Sequence, residues 1–292
     1  MKKILVLSVF ILFAFAQAHG QTSGGTPPSF NGGGMALAPA RFELEMQPGT
    51  ETTVVVNLEY RSTNGTDQPA RIVASLNDWS ITRDGRVEYF RANTLANSAS
   101  SWLIYSPAEA AVAPGTTHQI RVTISVPADA APGDHLTALI IEQRADTIKF
   151  NQNARQMIVR YRLASVFYIK VSKLTKVGSF ENLLAENTDK GIVITPTLKN
   201  SGNSVVRPTA SLKIVDAQGK IVADMPEIEP LPLLAGSQTS QPVVIENTLL
   251  PGVYSVKYRV DFQDGNRATE GIIELVVKNT RRIAALEKPA KP

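Results

Sequence analysis

The sequence predicts an all-β protein made of two tandem immunoglobulin-like β-sandwich domains, and three observations carry that prediction. Apolar residues recur at every second position in many short runs. Turn signals of the Pro-Gly, Asp-Gly and Asn-Gly kind separate those runs. After the first residues, no stretch holds a long helical period, and 292 residues are enough for two domains of ordinary size. The expected divisions are a signal peptide at 1–18, a flexible Gly/Ser/Pro leader at 19–34, an N-terminal sandwich at 35–173, a C-terminal sandwich at 174–278 and a basic tail at 279–292.

The opening "MKKILVLSVFILFAFAQAHG" reads as a processing signal. Lys2 and Lys3 precede an apolar run from Ile4 to Phe15, and Ala16-Gln17-Ala18 fits a cleavage site. The apolar run is too short to span a bilayer comfortably, and no later segment is long and apolar enough. The mature chain is therefore expected to be exported and soluble, in the periplasm or cell envelope. The next residues, "QTSGGTPPSFNGGG", have a linker composition.

The strands then follow in order. In "ALAPARFELEM", Phe42, Leu44 and Met46 alternate with Arg41, Glu43 and Glu45. "TTVVVNLEY" places Val54, Val56, Leu58 and Tyr60 on one face, and "ARIVASLNDW" and "RVEYF" flank the turn "TRDG". "SWLIY", "THQIRVTISVP" and "HLTALIIEQ" continue the pattern, with Ile120, Val122, Ile124 and Val126 aligned. After the polar loop "RADTIKFNQNARQ" comes the long strand "MIVRYRLASVFYIKV", and "SKLTKVGSF" links to the second half. There, "GIVITPTLKNSG", a hairpin about Ala217-Gln218-Gly219 and the run from Leu249 to Asn279 complete a second sandwich.

Composition excludes several kinds of chemistry. The chain has no cysteine, which removes disulfides, thiolate metal sites and thiol nucleophiles. Losing the two signal lysines from 30 basic residues leaves 28 against 26 acidic ones, a balance of +2. Four cations of that balance, Arg281, Arg282, Lys288 and Lys291, sit in the tail, so nucleic acid is not an expected partner. The three histidines, His19, His118 and His135, read as surface residues rather than catalytic bases. Asp78 and Asp84 lack the ligand spacing of a calcium loop, and Asn64-Gly65-Thr66 is a short glycosylation match of little weight. Trp79 and Trp102 read as packing residues within strands. No catalytic residue, metal site or cofactor is expected.

The long strand is the most informative stretch. Met157, Val159, Tyr161, Leu163, Phe167, Ile169 and Val171 share a face, while Arg160, Arg162 and Lys170 lie on the other. The arginines fit cross-strand ion pairs with Glu43 or Glu45, worth about 0.2–1 kcal/mol each. They fit equally well a cationic site for a partner's carboxylate.

Three stretches, "APARFEL", "VAPGTTHQIRVTI" with "APGDHLTALIIEQ", and "RYRLASVFYIKV", together resemble the periplasmic pilus-assembly chaperones of the PapD-like family. The resemblance is diffuse: it spans 36–278 as architecture and only these stretches as motif. It implies that Arg41 matches the family's first-strand arginine, which holds the terminal carboxylate of a pilus subunit. With Phe167-Tyr168 aligned to the family's aromatic pair, its lysine position falls on Ser165, and Arg162 or Arg160 would substitute. Arginine suits that role because it binds carboxylates bidentately. The implied partner is a secreted or surface subunit, pilin-like among the candidates, added as a strand beside Met157, Val159, Tyr161 and Leu163. The family's Arg-Pro after the aromatic pair is replaced by Ile169-Lys170. The alternative is a non-catalytic envelope or cell-surface adhesion module, similar to WxL-associated cell-wall proteins. Those modules usually end in a membrane anchor, which this sequence does not carry, so the expectation leans to a soluble chaperone.

Overall fold

The computed structural model describes residues 34–61, 68–144, 161–246 and 249–278. The signal, all of the leader but Gly34, the tail, Asn64, and the candidate residues Met157, Val159 and Arg160 lie outside these.

The first strands are β1 (Gly34–Ala38), β2 (Arg41–Met46), β3 (Glu51–Arg61), β4 (Ala70–Ile81), β5 (Val87–Arg91), β6 (Leu103–Ser106), β7 (Glu109–Val112), β8 (Thr116–Ser125), β9 (Gly133–Gln143) and β10 (Arg162–Val171). They form two sheets, β1-β3-β8-β6 facing β2-β10-β9-β4-β5, with β7 also on β4. Val56, Leu58, Ile120, Val122 and Ile124 from one sheet meet Ile72, Leu139, Ile141, Phe167 and Ile169 from the other. Phe42 stacks on Phe167 with ring centroids 4.8 Å apart, fixing β2 against β10. The chain changes sheets between β1 and β2, across a cis Ala38–Pro39 bond.

The second group comprises β11 (Gly178–Thr188), β12 (Gly191–Asn200), β13 (Thr209–Asp216), β14 (Ile221–Ile228), β15 (Gln238–Thr239), β16 (Val243–Ile245), β17 (Gly252–Asp261) and β18 (Thr269–Val277). Its sheets are β11-β12-β15, with β16 also on β12, and β14-β13-β17-β18. Ile192, Ile194, Leu198, Leu212, Ile214, Val256, Tyr258 and Val260 fill the space between them. The protein is thus all-β, with two immunoglobulin-like sandwiches.

Several details depart from the sequence reading. Gly178–Phe180 opens β11 rather than closing a linker. Trp102 ends a 3₁₀ turn, Ser100–Trp102, and packs its ring at a tilt against His135, with centroids 4.3 Å apart, instead of lying in a strand. His118 is half-buried rather than fully on the surface. It alternates with Gln119 on the same side as Ile120 and Val122, and its Nε2 is buried.

The two sandwiches meet over a third apolar cluster: Trp79, Leu136, Ala138, Ile140, Tyr168, Val205 and Leu234. Strand β9 is therefore buried on both faces, with Leu139 and Ile141 to its own core and Ala138 and Ile140 to the junction. Polar contacts frame this patch. Asp134 N–H donates to Asn203 O at 2.8 Å, and Val205 N–H to Asp134 Oδ2 at 2.6 Å. Ser240 N–H donates to Arg83 O at 2.7 Å on the other side. At Gly133, φ is 127° and a Cβ would lie 2.8 Å from Asn203 O, so only glycine lets the two backbones approach this closely.

Candidate functional site

The site is organised by β10, whose neighbours change along its length. On one side it pairs with β9 throughout, from Arg162↔Glu142 to Val171↔Gly133. On the other it pairs in parallel with β2, but only from Val166↔Arg41 to Val171↔Met46. Backbone groups alternate in direction along a strand. Gln143 N–H donates to Tyr161 O, and Val166 N–H to Ala40 O. Tyr161, Leu163 and Ser165 therefore direct their backbone groups to β9, and Arg162 and Ala164 direct theirs to the opposite flank. That flank has no ladder partner among the described residues before Val166.

The face that carries the cations is not a solvated one. Ala164, Val166 and Tyr168 share it and pack into the junction, with Trp79 set edge-on to Tyr168 at 5.2 Å. Arg162 and Lys170 stand at the two ends of this apolar stretch. Arg162 Nε pairs with Glu142 Oε1 at 2.8 Å, and its guanidinium lies 5.8 Å from the centre of the Tyr89 ring. Its carboxylate is thus Glu142, not Glu43 or Glu45.

Arg41 lies opposite Val166, four residues along β10 from Arg162. At about 3.3 Å per residue their backbones are roughly 13 Å apart along the strands. The two arginines share a face but do not converge on one point. Instead, Arg41 belongs to a cluster built on Glu43. Glu43 Oε1 accepts from Arg207 Nη2 at 2.6 Å and pairs with Arg41 Nε at 3.2 Å, while Oε2 accepts from Lys170 Nζ at 2.8 Å. Burial raises the Glu43 carboxyl, but the hydrogen bond from Lys170 and the charge of Arg207 outweigh it and hold the group below its ordinary 4.5. Arg207, from the second sandwich, also covers the Tyr168 ring at 5.3 Å. Beside it, Asp134 is pushed up by burial, against the opposing effect of the Val205 N–H bond.

Ser165 is fully buried and donates to Pro39 O at 2.8 Å. It helps end the open flank where β2 begins. The sequence reading named Arg41 but missed Arg207 as its companion, because nothing local places a residue so distant beside β2.

No protein-family model and no curated protein matches this chain. Among solved structures it is similar to a chaperone–tip adhesin complex of CFA/I fimbriae biogenesis, at 10% identity, over 82% of this chain and 98% of that one, with a TM-score of 0.44. It is also similar to the class 5 fimbriae chaperone CfaA, at 12% identity, 84% and 100% coverage and a TM-score of 0.42. A third likeness is to the CsuC–CsuE chaperone–tip adhesion subunit pre-assembly complex of archaic chaperone–usher Csu pili from Acinetobacter baumannii. It shows 15% identity, 82% and 97% coverage and a TM-score of 0.40. These likenesses are diffuse, at low identity but over most of each chain. Among the described residues, no helix is long and apolar enough to cross a membrane.

Proposed function

We propose that the protein is a periplasmic chaperone-like module that captures an extended C-terminal segment of a secreted or pilus-type subunit. The segment adds as a strand beside the first residues of β10, and its terminal carboxylate is held at Arg41. The observation that carries this reading is the lane of β2. That lane is filled from Val166 onward and carries no ladder partner at Arg162 and Ala164 among the described residues. A strand placed there would run parallel to β10, as β2 does, and its last residue would reach Arg41.

Main-chain bonds to Arg162 and Ala164 supply affinity that does not depend on sequence, and side chains at alternate positions set register. Leu163, Tyr161, Val159 and Met157 take that second role. At the chain end, Arg207 joins Arg41 on the same oxygen of Glu43, whereas Arg162 meets the body of the segment. A charge-assisted hydrogen bond contributes about 1.5–3 kcal/mol, so Arg41→Ala is expected to weaken capture of the native partner by that amount.

The test is isolation from the native envelope, sequencing of the co-eluting chains, and comparison with Ala164→Pro. Proline removes the one N–H at 164 that faces away from β9, so the sheet keeps its ladder while the added strand loses a bond. The expected result is loss of the co-eluting subunit with the fold retained. Undiminished capture by Ala164→Pro would rule out strand addition, and recovery of glycans or wall polymers in place of a subunit would favour an adhesion module.

A further inference from the structure

Three cations from three separate elements converge on one carboxylate that is itself only 26% exposed: Arg41 from β2, Lys170 from β10 and Arg207 from the second sandwich, all on Glu43. An ordinary surface pair needs one cation. A carboxylate with donors on both oxygens is the arrangement of an anion site with its anion in place. The anion here belongs to the chain, and Arg41 remains 46% exposed at its rim.

We propose that Glu43 is a built-in stand-in for the terminal carboxylate of the captured segment, holding the anchor in its bound geometry until a partner's chain end displaces it. This rests on the reading of Arg41 as the anchor. Three cations gathered without an anion repel one another. Glu43 offsets that repulsion until a partner arrives, and displacing it costs an incoming carboxylate part of its affinity.

Capture then becomes an exchange of one carboxylate for another. A free chain end can take over the contacts to Arg41 and Arg207. An amidated end or an internal loop cannot, because it would leave the cations without a counter-charge. Glu43 thereby discriminates chain ends from chain interiors. Arg207 comes from the second sandwich and Glu43 from the first, so the exchange also hands the polar bridge between them to the captured segment.

The test uses the mature chain, wild type and Glu43→Gln, and a synthetic peptide of alternating apolar and polar residues made with either a free carboxylate or an amide at its C-terminus. Glu43→Gln is expected to bind the free-carboxylate peptide about tenfold more tightly, equivalent to about 1.4 kcal/mol, with the amidated peptide unchanged. In the wild type, the free-carboxylate peptide should shift the isotope-labelled Glu43 carboxyl resonance and the amidated one should not. This second readout needs no substitution. If the wild type prefers the free end but Glu43→Gln gains nothing and the Glu43 resonance stays fixed, Glu43 is a strut between the sandwiches and the proposal fails. If the wild type binds both peptides alike, the anchor reading itself falls, and this one with it.

Discussion

Asp78 shows how much one buried side chain can organise. It is fully buried on β4, yet Thr94 N–H, Leu95 N–H, Ser98 Oγ–H and Ser100 Oγ–H all donate to it within 2.8 Å. Burial raises its carboxyl, but these donors outweigh that and hold it below the ordinary value. Asp78→Ala would leave several buried donors unpaired, and a loss of about 3 kcal/mol is expected in urea unfolding, with Asp78→Asn costing less. Glu43 gives a pH-dependent counterpart. Because it is held below 4.5 in the folded protein, its contribution is complete above that value and disappears as pH falls through the lower folded value. Asp134 acts in the opposite sense: burial raises it, so the cost of its charge lifts on acidification. With Trp102→Phe as background, Trp79 emission at the junction should change on acidification in the parent and change less in Glu43→Gln, where Asp134 still titrates but Glu43 no longer does. At this scale the sequence was half legible. Arg41 stood out beside its apolar alternation, while its setting did not, since Lys170 and Arg207 reach Glu43 only through a parallel strand pair and a second sandwich.

Alternation along the chain identified most strands because it records which side of a pleated sheet is dry. It failed where that record is blurred. Strand β11 is a sheet edge with scattered exposed residues, so no period of two marks it. The 3₁₀ turn at Ser100–Trp102 is fixed by the Asp78 contacts, which are remote in sequence. Strand β9 carries the opposite signal, since "LTALII" is apolar at nearly every position, as expected of a strand covered on both faces. Ile140→Ala and Ile141→Ala should each cost about 2–4 kcal/mol, by cavities on opposite faces of the same strand. Only Ile140→Ala should also perturb Trp79 emission, because only Ile140 lies in the junction cluster. Equal effects on Trp79 would contradict this division of β9.

The molecule as a whole is held by a junction that is both apolar and polar. Trp79, Tyr168, Val205 and Leu234 exclude water, Asp134 and Asn203 join backbones across it, and Gly133 permits their approach. Two sandwiches joined in this way are expected to unfold in one calorimetric transition. Tyr168→Ala with Leu234→Ala should separate it into two, each belonging to a sandwich with an intact core. Two transitions in the parent protein would mean that the junction contributes little.

The point at which β2 enters its lane limits how the proposed occupant can sit. A groove open at both ends lets an occupant slide, and any stretch of suitable pattern can fit. Here one end is stopped, by Ala40 and Arg41 meeting Val166. An occupant seated against that stop is measured from its last residue inward, whatever its total length. If a partner strand is captured there by its terminus, as proposed, extending it by even one residue would shift every side chain to the wrong side of the sheet.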